Sequence, residues 1–175
     1  MQVGSVIPSS RFLERRVVGA ADLADARVVV ELGPGTGGST RALLKALPAD
    51  ATLIAIEINP DFVKVLKRHM PDPRLIVHEG SAEDVRGALA KHGFEAADVV
   101  ISGIPFSTMP EALGAAIVSE VHASLVPGGR FVAYQVRDKV HELGRRVFGR
   151  ARVKTELRNV PPMRVYRWER TREAS

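Results

Sequence analysis

Apolar and polar positions along the chain follow two different periods. Seven short runs rich in valine, isoleucine and other apolar residues have the length and composition of β-strands. They span residues 27–32, 52–58, 74–78, 98–102, 129–136, 152–159 and 164–169. Elsewhere, apolar residues recur at spacings of three and four, which is typical of amphipathic helices. The predicted helices span residues 10–23, 39–47, 61–69, 83–91 and 111–125.

The alternation of strands and helices predicts a parallel sheet that is covered by helices on both faces. Pro127-Gly128-Gly129 is expected to end the last helix before the fifth strand begins. Residues 159–162, with sequence N-V-P-P, leave room for a turn but not for a crossover helix, so the last two strands should form an antiparallel hairpin. The predicted fold class is therefore α/β, a Rossmann-like seven-stranded and mostly parallel sheet with a C-terminal antiparallel hairpin.

Length and composition exclude several kinds of site and protein. A chain of 175 residues predicts one domain over residues 1–175, and its lack of cysteine excludes disulfides and thiolate metal sites. No metal site is expected, and no apolar run is long enough to span a membrane, so we expect a cytoplasmic protein. Residues 137–175 hold 12 Lys or Arg against 5 Asp or Glu, within a net charge of +5. This basic end suits nucleic acid, an anionic membrane surface or an acidic small molecule, or it is an ordinary solvated surface.

A glycine-rich loop follows the first predicted strand, with glycines at Gly33, Gly35 and Gly37. Glycine permits both a sharp turn and a close approach of backbone N–H groups to a ligand at a helix N-terminus. With Gly38 the loop also matches the dinucleotide-binding pattern G-x-G-x-x-G, so the glycines alone leave a nicotinamide enzyme and a methyltransferase open. The short chain favours the methyltransferase, because a dinucleotide enzyme usually has a separate substrate domain.

The segment E-L-G-P-G-T-G at residues 31–37 resembles the first motif of class I S-adenosylmethionine-dependent methyltransferases. The resemblance implies that the acidic residue engages the amino-acid end of the cofactor and that Glu57 hydrogen-bonds the ribose. It also implies that the junction after the third strand contacts adenine. The predicted cofactor-binding residues at these positions are Glu31, Gly33, Pro34, Gly35, Thr36, Gly37, Glu57, Ile58, Gly80, Ser81 and Ala82. The plain alternatives are a surface carboxylate for Glu57 and a helix cap for Ser81.

The fourth predicted strand ends in Ser102-Gly103-Ile104-Pro105-Phe106, at the edge where an open α/β sheet binds its ligands. We assign Ser102 to the cofactor and Gly103, Pro105 and Phe106 to catalysis. Methyltransferases that act on adenine or glutamine amides carry Asn or Asp where this chain has Gly103. Since a nucleobase amine needs that acceptor, the glycine favours a more basic aliphatic amine. Phe106 either faces a cation with its ring or packs in the core.

Several segments look like those of bacterial phospholipid N-methyltransferases: G-S-V-I-P-S-S-R at residues 4–11, S-G-I-P-F, S-T-M-P, P-G-G-R-F and R-N-V-P-P-M-R-V-Y. This resemblance implies methylation of phosphatidylethanolamine-type lipids and release of S-adenosylhomocysteine. It also implies that residues 1–24 cover the cofactor site, with Ser9 and Ser10 in contact; the alternative is a simple helix start. We expect no longer amphipathic extension of the kind found in that family. The short remnant, with Val3, Val6, Ile7, Phe12 and Leu13 beside Arg11, Arg15 and Arg16, is expected either to lie on a bilayer or to pack on the sheet.

Further candidate residues follow from this interpretation. Tyr134 either orients the amine or belongs to the core, and Arg137, Arg158 and Arg164 are candidates for binding a lipid phosphate. The expected partners are a lipid or small-molecule amine and, peripherally, the anionic inner face of the membrane. Nucleic acid is disfavoured, because an aromatic content of 5% leaves few side chains to stack on bases. The alternatives are an RNA adenine methyltransferase, a small-molecule methyltransferase and a non-catalytic cofactor-binding partner.

Overall fold

The computed structural model describes residues 9–172, which form a seven-stranded sheet flanked by helices. The strands are β1 (Val28–Leu32), β2 (Thr52–Glu57), β3 (Leu75–Glu79), β4 (Ala97–Ser102), β5 (Leu125–Gln135), β6 (Arg152–Glu156) and β7 (Met163–Glu169). The helices are α1 (Arg11–Ala21), α2 (Gly38–Ala46), α3 (Pro60–His69), α4 (Val85–Lys91), α5 (Glu111–Ser124) and α6 (Lys139–Phe148). Single 3₁₀ turns lie at Ala82–Asp84 and Phe106–Thr108.

The strand order is β3-β2-β1-β4-β5-β7-β6, and the first five strands of the chain run parallel. Strand β7 is antiparallel to both β5 and β6, which confirms the predicted fold class and its C-terminal hairpin. The order reverses between β1 and β4, whose carboxyl ends lie side by side. Open α/β sheets bind ligands at such a switch point. Because β6 runs antiparallel to β7, the β6–β7 turn lies at this same edge of the sheet.

Apolar side chains of the sheet point alternately to two cores. One core packs Val29, Val99 and Val132 against α1 and α2, and the other packs Val30, Val100 and Phe131 against α4, α5 and α6. Burial of a valine or phenylalanine side chain stabilises the fold by roughly 1.5–3 kcal/mol. Among residues 9–172, none of the helices has the length and apolar character that crossing a membrane requires.

Two features differ from the sequence predictions. The expected helix stop at Pro127-Gly128-Gly129 lies inside β5, which begins at Leu125. The pairing of β4 with β5 is irregular here, and Gly128 has a φ of 80°, so the glycine permits an irregular strand rather than a separate loop. The second difference is α6, which the sequence interpretation missed although Val140, Leu143 and Val147 have helical spacing. Gly144, in the middle of this helix, obscures the pattern.

Candidate active site

The glycine loop joins β1 to α2 through three residues with left-handed backbone conformations. Gly33, Gly35 and Gly37 have φ values of 69°, 56° and 88°. A Cβ atom at Gly37 would overlap the ends of the Met70 and Leu66 side chains, and the left-handed backbone conformation there favours glycine. The loop leads into the N-terminus of α2, where free N–H groups and the helix dipole favour a negative or polar ligand group.

Glu57 lies at the end of β2, directly beside the glycine loop. Its Oε2 accepts a hydrogen bond from Gly35 N at 3.0 Å, and its Oε1 accepts one from Asn59 N at 2.9 Å. Since a carboxylate oxygen can accept two hydrogen bonds, each oxygen retains one position for a ribose hydroxyl. The next residue, Ile58, is 72% exposed, so a large apolar side chain stands open beside the carboxylate. This pair fits a bound nucleoside.

The structure gives Glu31 a role at the start of α2. Its carboxylate is 1% exposed and accepts hydrogen bonds from the hydroxyls of Ser39 and Thr40, the latter at 2.6 Å. Burial raises the pKa of Glu31, and the two hydroxyl hydrogen bonds oppose that rise. Glu31 therefore holds the first turn of α2 in place, and the predicted contact with the amino-acid end of a cofactor stays a prediction.

The remaining predicted cofactor residues lie along the same edge. Gly80 N donates to Glu57 O at 3.0 Å, which brings the end of β3 beside the end of β2. Ser81 caps the following 3₁₀ turn by accepting from Glu83 N at 3.1 Å, and Ala82 is half-buried next to it. At the end of β4, the buried Ser102 Oγ accepts from Ile104 N at 3.2 Å. The carboxyl ends of four parallel strands thus meet at one cleft.

Gly103, directly after β4, lies beside Tyr134 of β5, because Ser102 pairs with Ala133. A Cβ atom at Gly103 would overlap the Tyr134 hydroxyl, so the tyrosine fills the space that a side chain would need. Tyr134 is buried and its hydroxyl donates to Ser39 Oγ at 3.4 Å. Burial raises the pKa of Tyr134, so the side chain stays a neutral phenol at physiological pH.

Gln135, which the sequence interpretation missed, fixes the loop after β4. Its Oε1 accepts from Phe106 N at 3.2 Å, and its Nε2 donates to the Ile104 carbonyl. A polar residue at the end of the apolar run Phe131–Tyr134 was the available signal. Pro105 is exposed in this loop, whereas the Phe106 ring is buried among core side chains. The core-packing alternative for Phe106 is therefore the one that the structure shows, rather than a ring open to a cation.

The N-terminal segment reaches the same site. Ser9 and Glu14 line a small cavity together with Ser39 and Tyr134, and Ser10 caps α1 by accepting from Leu13 N at 3.2 Å. The sequence interpretation did not single out Glu14, because its α1 position gives no sign of the neighbouring cleft. Val3, Val6 and Ile7, expected either on a bilayer or on the sheet, and Pro8, expected either to cover the cofactor or to start a helix, lie outside the described residues.

The three candidate arginines do not form one cluster. Arg158 bonds Glu156 at 2.9 Å and stacks on the ring of Phe12 in α1, at 4.2 Å from its centroid. Arg164 bonds Asp138 at the start of α6, on the opposite face of the sheet, and Arg137 is exposed. Hydrogen bonds from Tyr166 and Arg164 lower the pKa of Asp138. Arg158 and Arg164 therefore lie on different faces of the sheet, and the binding of a lipid phosphate by any of the three arginines stays a prediction.

Two known methyltransferases resemble this chain, one over most of its length and the other over less than half. An ornithine lipid N-methyltransferase from Singulisphaera acidiphila is 34% identical over 166 residues, which is 94% of this chain and 86% of that protein. A ribosomal RNA small subunit methyltransferase A from Laribacter hongkongensis is 44% identical over 71 residues, 41% of this chain and 26% of the relative.

A solved structure and a family model point to the same kind of protein as these relatives. The crystal structure of precorrin-6y C5,15-methyltransferase from Geobacter metallireducens GS-15 superimposes with a TM-score of 0.75 at 15% identity, covering 97% of this chain and 94% of that one. Residues 29–129 match the family described as methyltransferase domain. The chain therefore belongs to the class I S-adenosylmethionine-dependent methyltransferases, an assignment that agrees with the cleft formed by the glycine loop, Glu57 and Gly103.

Proposed function

We propose that this enzyme methylates the primary amine of a membrane aminolipid, with phosphatidylethanolamine and ornithine lipid as the candidate substrates. The observation that carries the proposal is Gly103, which places no side chain at the reacting edge and makes room for the Tyr134 hydroxyl. A nucleobase amine has a delocalised lone pair and needs a rigid acceptor close to its NH₂ group. An aliphatic amine has a localised lone pair, so positioning supplies most of the catalysis.

The relatives support a lipid more than an RNA acceptor. Similarity to the ornithine lipid N-methyltransferase extends over 94% of this chain, whereas similarity to the ribosomal RNA methyltransferase covers 41%. The shorter match is what a shared cofactor-binding region would give by itself. Similarity over 94% of the chain extends beyond that region to the part of the chain that shapes the acceptor side of the cleft.

The residues of the cleft fit S-adenosylmethionine. Glu57 would hold the ribose hydroxyls with its remaining acceptor positions, and Ile58 would cover one face of the adenine. Ser81 and Ala82 would border the ring from β3, while the glycine loop would follow the methionine part towards the α2 N-terminus. When bound, the cofactor supplies an electrophilic methyl group on a sulfonium and leaves as S-adenosylhomocysteine.

Tyr134 would orient the acceptor amine. Its hydroxyl donates to Ser39, whose own hydroxyl donates to Glu31. Because the tyrosine donates its proton to Ser39, its oxygen keeps a lone pair that can accept a hydrogen bond from an amine N–H beside Gly103. The raised pKa of Tyr134 excludes it as the base, so it positions the nitrogen rather than deprotonating it.

A lipid ammonium must lose a proton before its nitrogen can attack. Glu14 brings a carboxylate to the small cavity that also contains Tyr134 and Ser39. We assign to Glu14 the attraction of the ammonium group and the acceptance of its proton, directly or through water. With that proton on Glu14 or on water, the amine nitrogen would have a free lone pair to accept the methyl group that bound S-adenosylmethionine would supply.

Arg137 is our candidate for the phosphate of a phospholipid. It follows the end of β5 by two residues, at the edge of the cleft, and it is exposed. Arg164 lies near the same strand end but is engaged by Asp138. Arg137→Ala should raise the KM for phosphatidylethanolamine several-fold and leave the KM for S-adenosylmethionine unchanged. An unchanged lipid KM would remove Arg137 from the substrate site.

The proposal is tested by incubating the enzyme with S-adenosylmethionine labelled in its methyl group and three acceptor pools. The pools are a total bacterial lipid extract in detergent, ribosomal RNA and a set of small amines. We expect label in the lipid fraction, with mass spectrometry locating the methyl group on the amine nitrogen. Label that appeared only in RNA, or only in small amines, would contradict the lipid assignment.

A further inference from the structure

The turn between β6 and β7 exposes two large apolar side chains at the edge of the sheet that carries the active site. Val160 is 88% exposed and Leu157 is 74% exposed, more than any other large apolar side chain of the described residues. Pro161 and Pro162 continue the exposed surface. Exposed aliphatic side chains clustered on one turn are characteristic of an interaction site.

The turn is held in place by the buried side chain of Asn159, between the two exposed residues. Its Oδ1 accepts from Ser10 N at 3.0 Å, and its Nδ2 donates to Pro161 O at 2.9 Å. Asn159 therefore ties the turn to the N-terminal cap of α1. With this anchor buried, Leu157 and Val160 are presented outwards by a fixed backbone.

A basic groove of about 290 Å³ lies beside the turn, between α1 and β6. Arg15, Arg16, Lys154 and Arg158 line it, against one carboxylate, Glu156. Glu156 is engaged by Arg16 and Arg158, so the other two cations add an uncompensated positive charge within the described surface. Arg158 itself is partly exposed and stays available to a further anion.

We infer that the β6–β7 turn and this basic groove dock the enzyme on the surface of an anionic phospholipid bilayer. Aliphatic side chains that enter the headgroup region, next to cations that contact anionic lipids, are the combination that binds proteins to membrane interfaces. A nucleic-acid surface would instead offer rings to stack on bases, and this turn presents leucine, valine and proline. The inference builds on the proposed lipid substrate, because docking here brings the active-site edge to the bilayer.

The experiment compares the wild-type chain with Leu157→Ser/Val160→Ser on two kinds of vesicle. One contains phosphatidylcholine alone, and the other contains phosphatidylcholine with phosphatidylglycerol. Val65→Ser on α3 is the matched control, since it removes an exposed valine from the opposite end of the sheet. We expect wild type and control to sediment with the anionic vesicles, and the double variant to bind about tenfold more weakly.

A second variant tests the charges without touching the pairs around Glu156. Arg15→Gln/Lys154→Gln should weaken binding to anionic vesicles about tenfold and flatten its dependence on salt. Circular dichroism confirms that each variant is folded. The inference would be overturned if Leu157→Ser/Val160→Ser bound the anionic vesicles as tightly as the wild type. It would also be overturned if the turn variant lost binding to ribosomal RNA but kept its binding to vesicles.

Activity in detergent separates this inference from the proposed function. The turn variant should methylate detergent-dispersed lipid at the wild-type rate and lose activity only on intact vesicles. If the enzyme bound vesicles through the turn but methylated no lipid in either form, docking would stand and the lipid assignment would fail. If the enzyme methylated dispersed lipid but the turn variant and the wild type bound vesicles equally, the docking surface would be wrong and the lipid assignment would stand.

Discussion

The hydroxyl of Tyr134 is the polar group that the fold brings to the glycine at the reacting edge. Tyr134→Phe removes it and keeps the ring that packs against Gly103. We expect kcat to fall about tenfold, which corresponds to one hydrogen bond of roughly 0.5–1.5 kcal/mol. Affinity for S-adenosylmethionine, measured by calorimetry, should stay unchanged. A wild-type kcat would leave Tyr134 with a packing role alone.

Glu57 offers a separate test of the cofactor cleft. Glu57→Gln keeps the size of the side chain but removes the charge that accepts from Gly35 N and Asn59 N. Because hydrogen bonds to a charged group contribute roughly 1.5–3 kcal/mol, we expect S-adenosylmethionine to bind about 100-fold more weakly. Glu79→Gln is the control, because Glu79 is an exposed carboxylate on β3 and lies next to Glu57 in the pairing of β2 with β3. Similar affinities for both variants would contradict the ribose assignment.

Glu14 is the residue whose role depends most on the proposed deprotonation. Glu14→Gln leaves the cavity with Ser39 and Tyr134 almost unchanged in shape. We expect the variant to require a higher pH for half-maximal kcat/KM with an aminolipid, since the amine must then deprotonate without a nearby carboxylate. A pH–rate profile that matched the wild type would remove Glu14 from the proton path.

Most elements could be predicted from the sequence because each carries its own period. Strand β4 and helix α5, for instance, end within a residue or two of the predicted positions. The helix α6 was missed because Gly144 interrupts its apolar stripe, and the reason for that glycine lies in another element. A Cβ atom there would overlap the Trp168 ring of β7. Contacts between distant segments leave no local pattern.

The packing of α6 on β7 yields a stability prediction. Gly144→Ala forces a methyl group against Trp168 and should lower the free energy of unfolding by about 1–3 kcal/mol. Gly19→Ala in α1 is the control, because no described atom lies within 4 Å of its added Cβ. That substitution should stabilise the protein by about 0.5–1 kcal/mol through helix propensity. Urea unfolding of both variants measures the difference.

The ion pairs of Glu156 in β6 with Arg16 in α1 and with Arg158 predict that the free energy of unfolding depends on pH. Hydrogen bonds from Arg158, and then from Arg16, lower the pKa of Glu156 from 4.5 to about 2. A folded-state pKa below the unfolded value stabilises the protein above pH 4.5 and loses that contribution as the pH falls towards 2. Glu156→Gln should therefore show a shallower loss of unfolding free energy over this range, whereas Asp25→Asn, at an exposed site, should follow the wild type.

At the scale of the whole molecule, the candidate active-site residues and the basic C-terminal residues lie in different parts of the sequence. The fold brings both groups to one edge of the sheet. The glycine loop, Glu57 and Gly103 could be predicted because each lies at the end of a strand or directly after it. The positions of Glu14 and Gln135 next to that site could not be predicted from the sequence, because they depend on how α1 and β5 pack in the folded protein. The separation of Arg158 from Arg164 likewise depends on tertiary contacts, because Arg158 packs on Phe12 of α1 and Arg164 pairs with Asp138 next to α6.

The overlap between Gly103 and Tyr134 also constrains how such an enzyme can change its substrate in evolution. A side chain introduced at Gly103 collides with the tyrosine, and a smaller residue at Tyr134 removes the amine-orienting oxygen before any replacement exists. Either single change should therefore lower activity, and loss of the tyrosine oxygen alone should lower kcat about tenfold. The two positions thus constrain each other, and we expect a switch between aliphatic and aromatic amines to involve both substitutions.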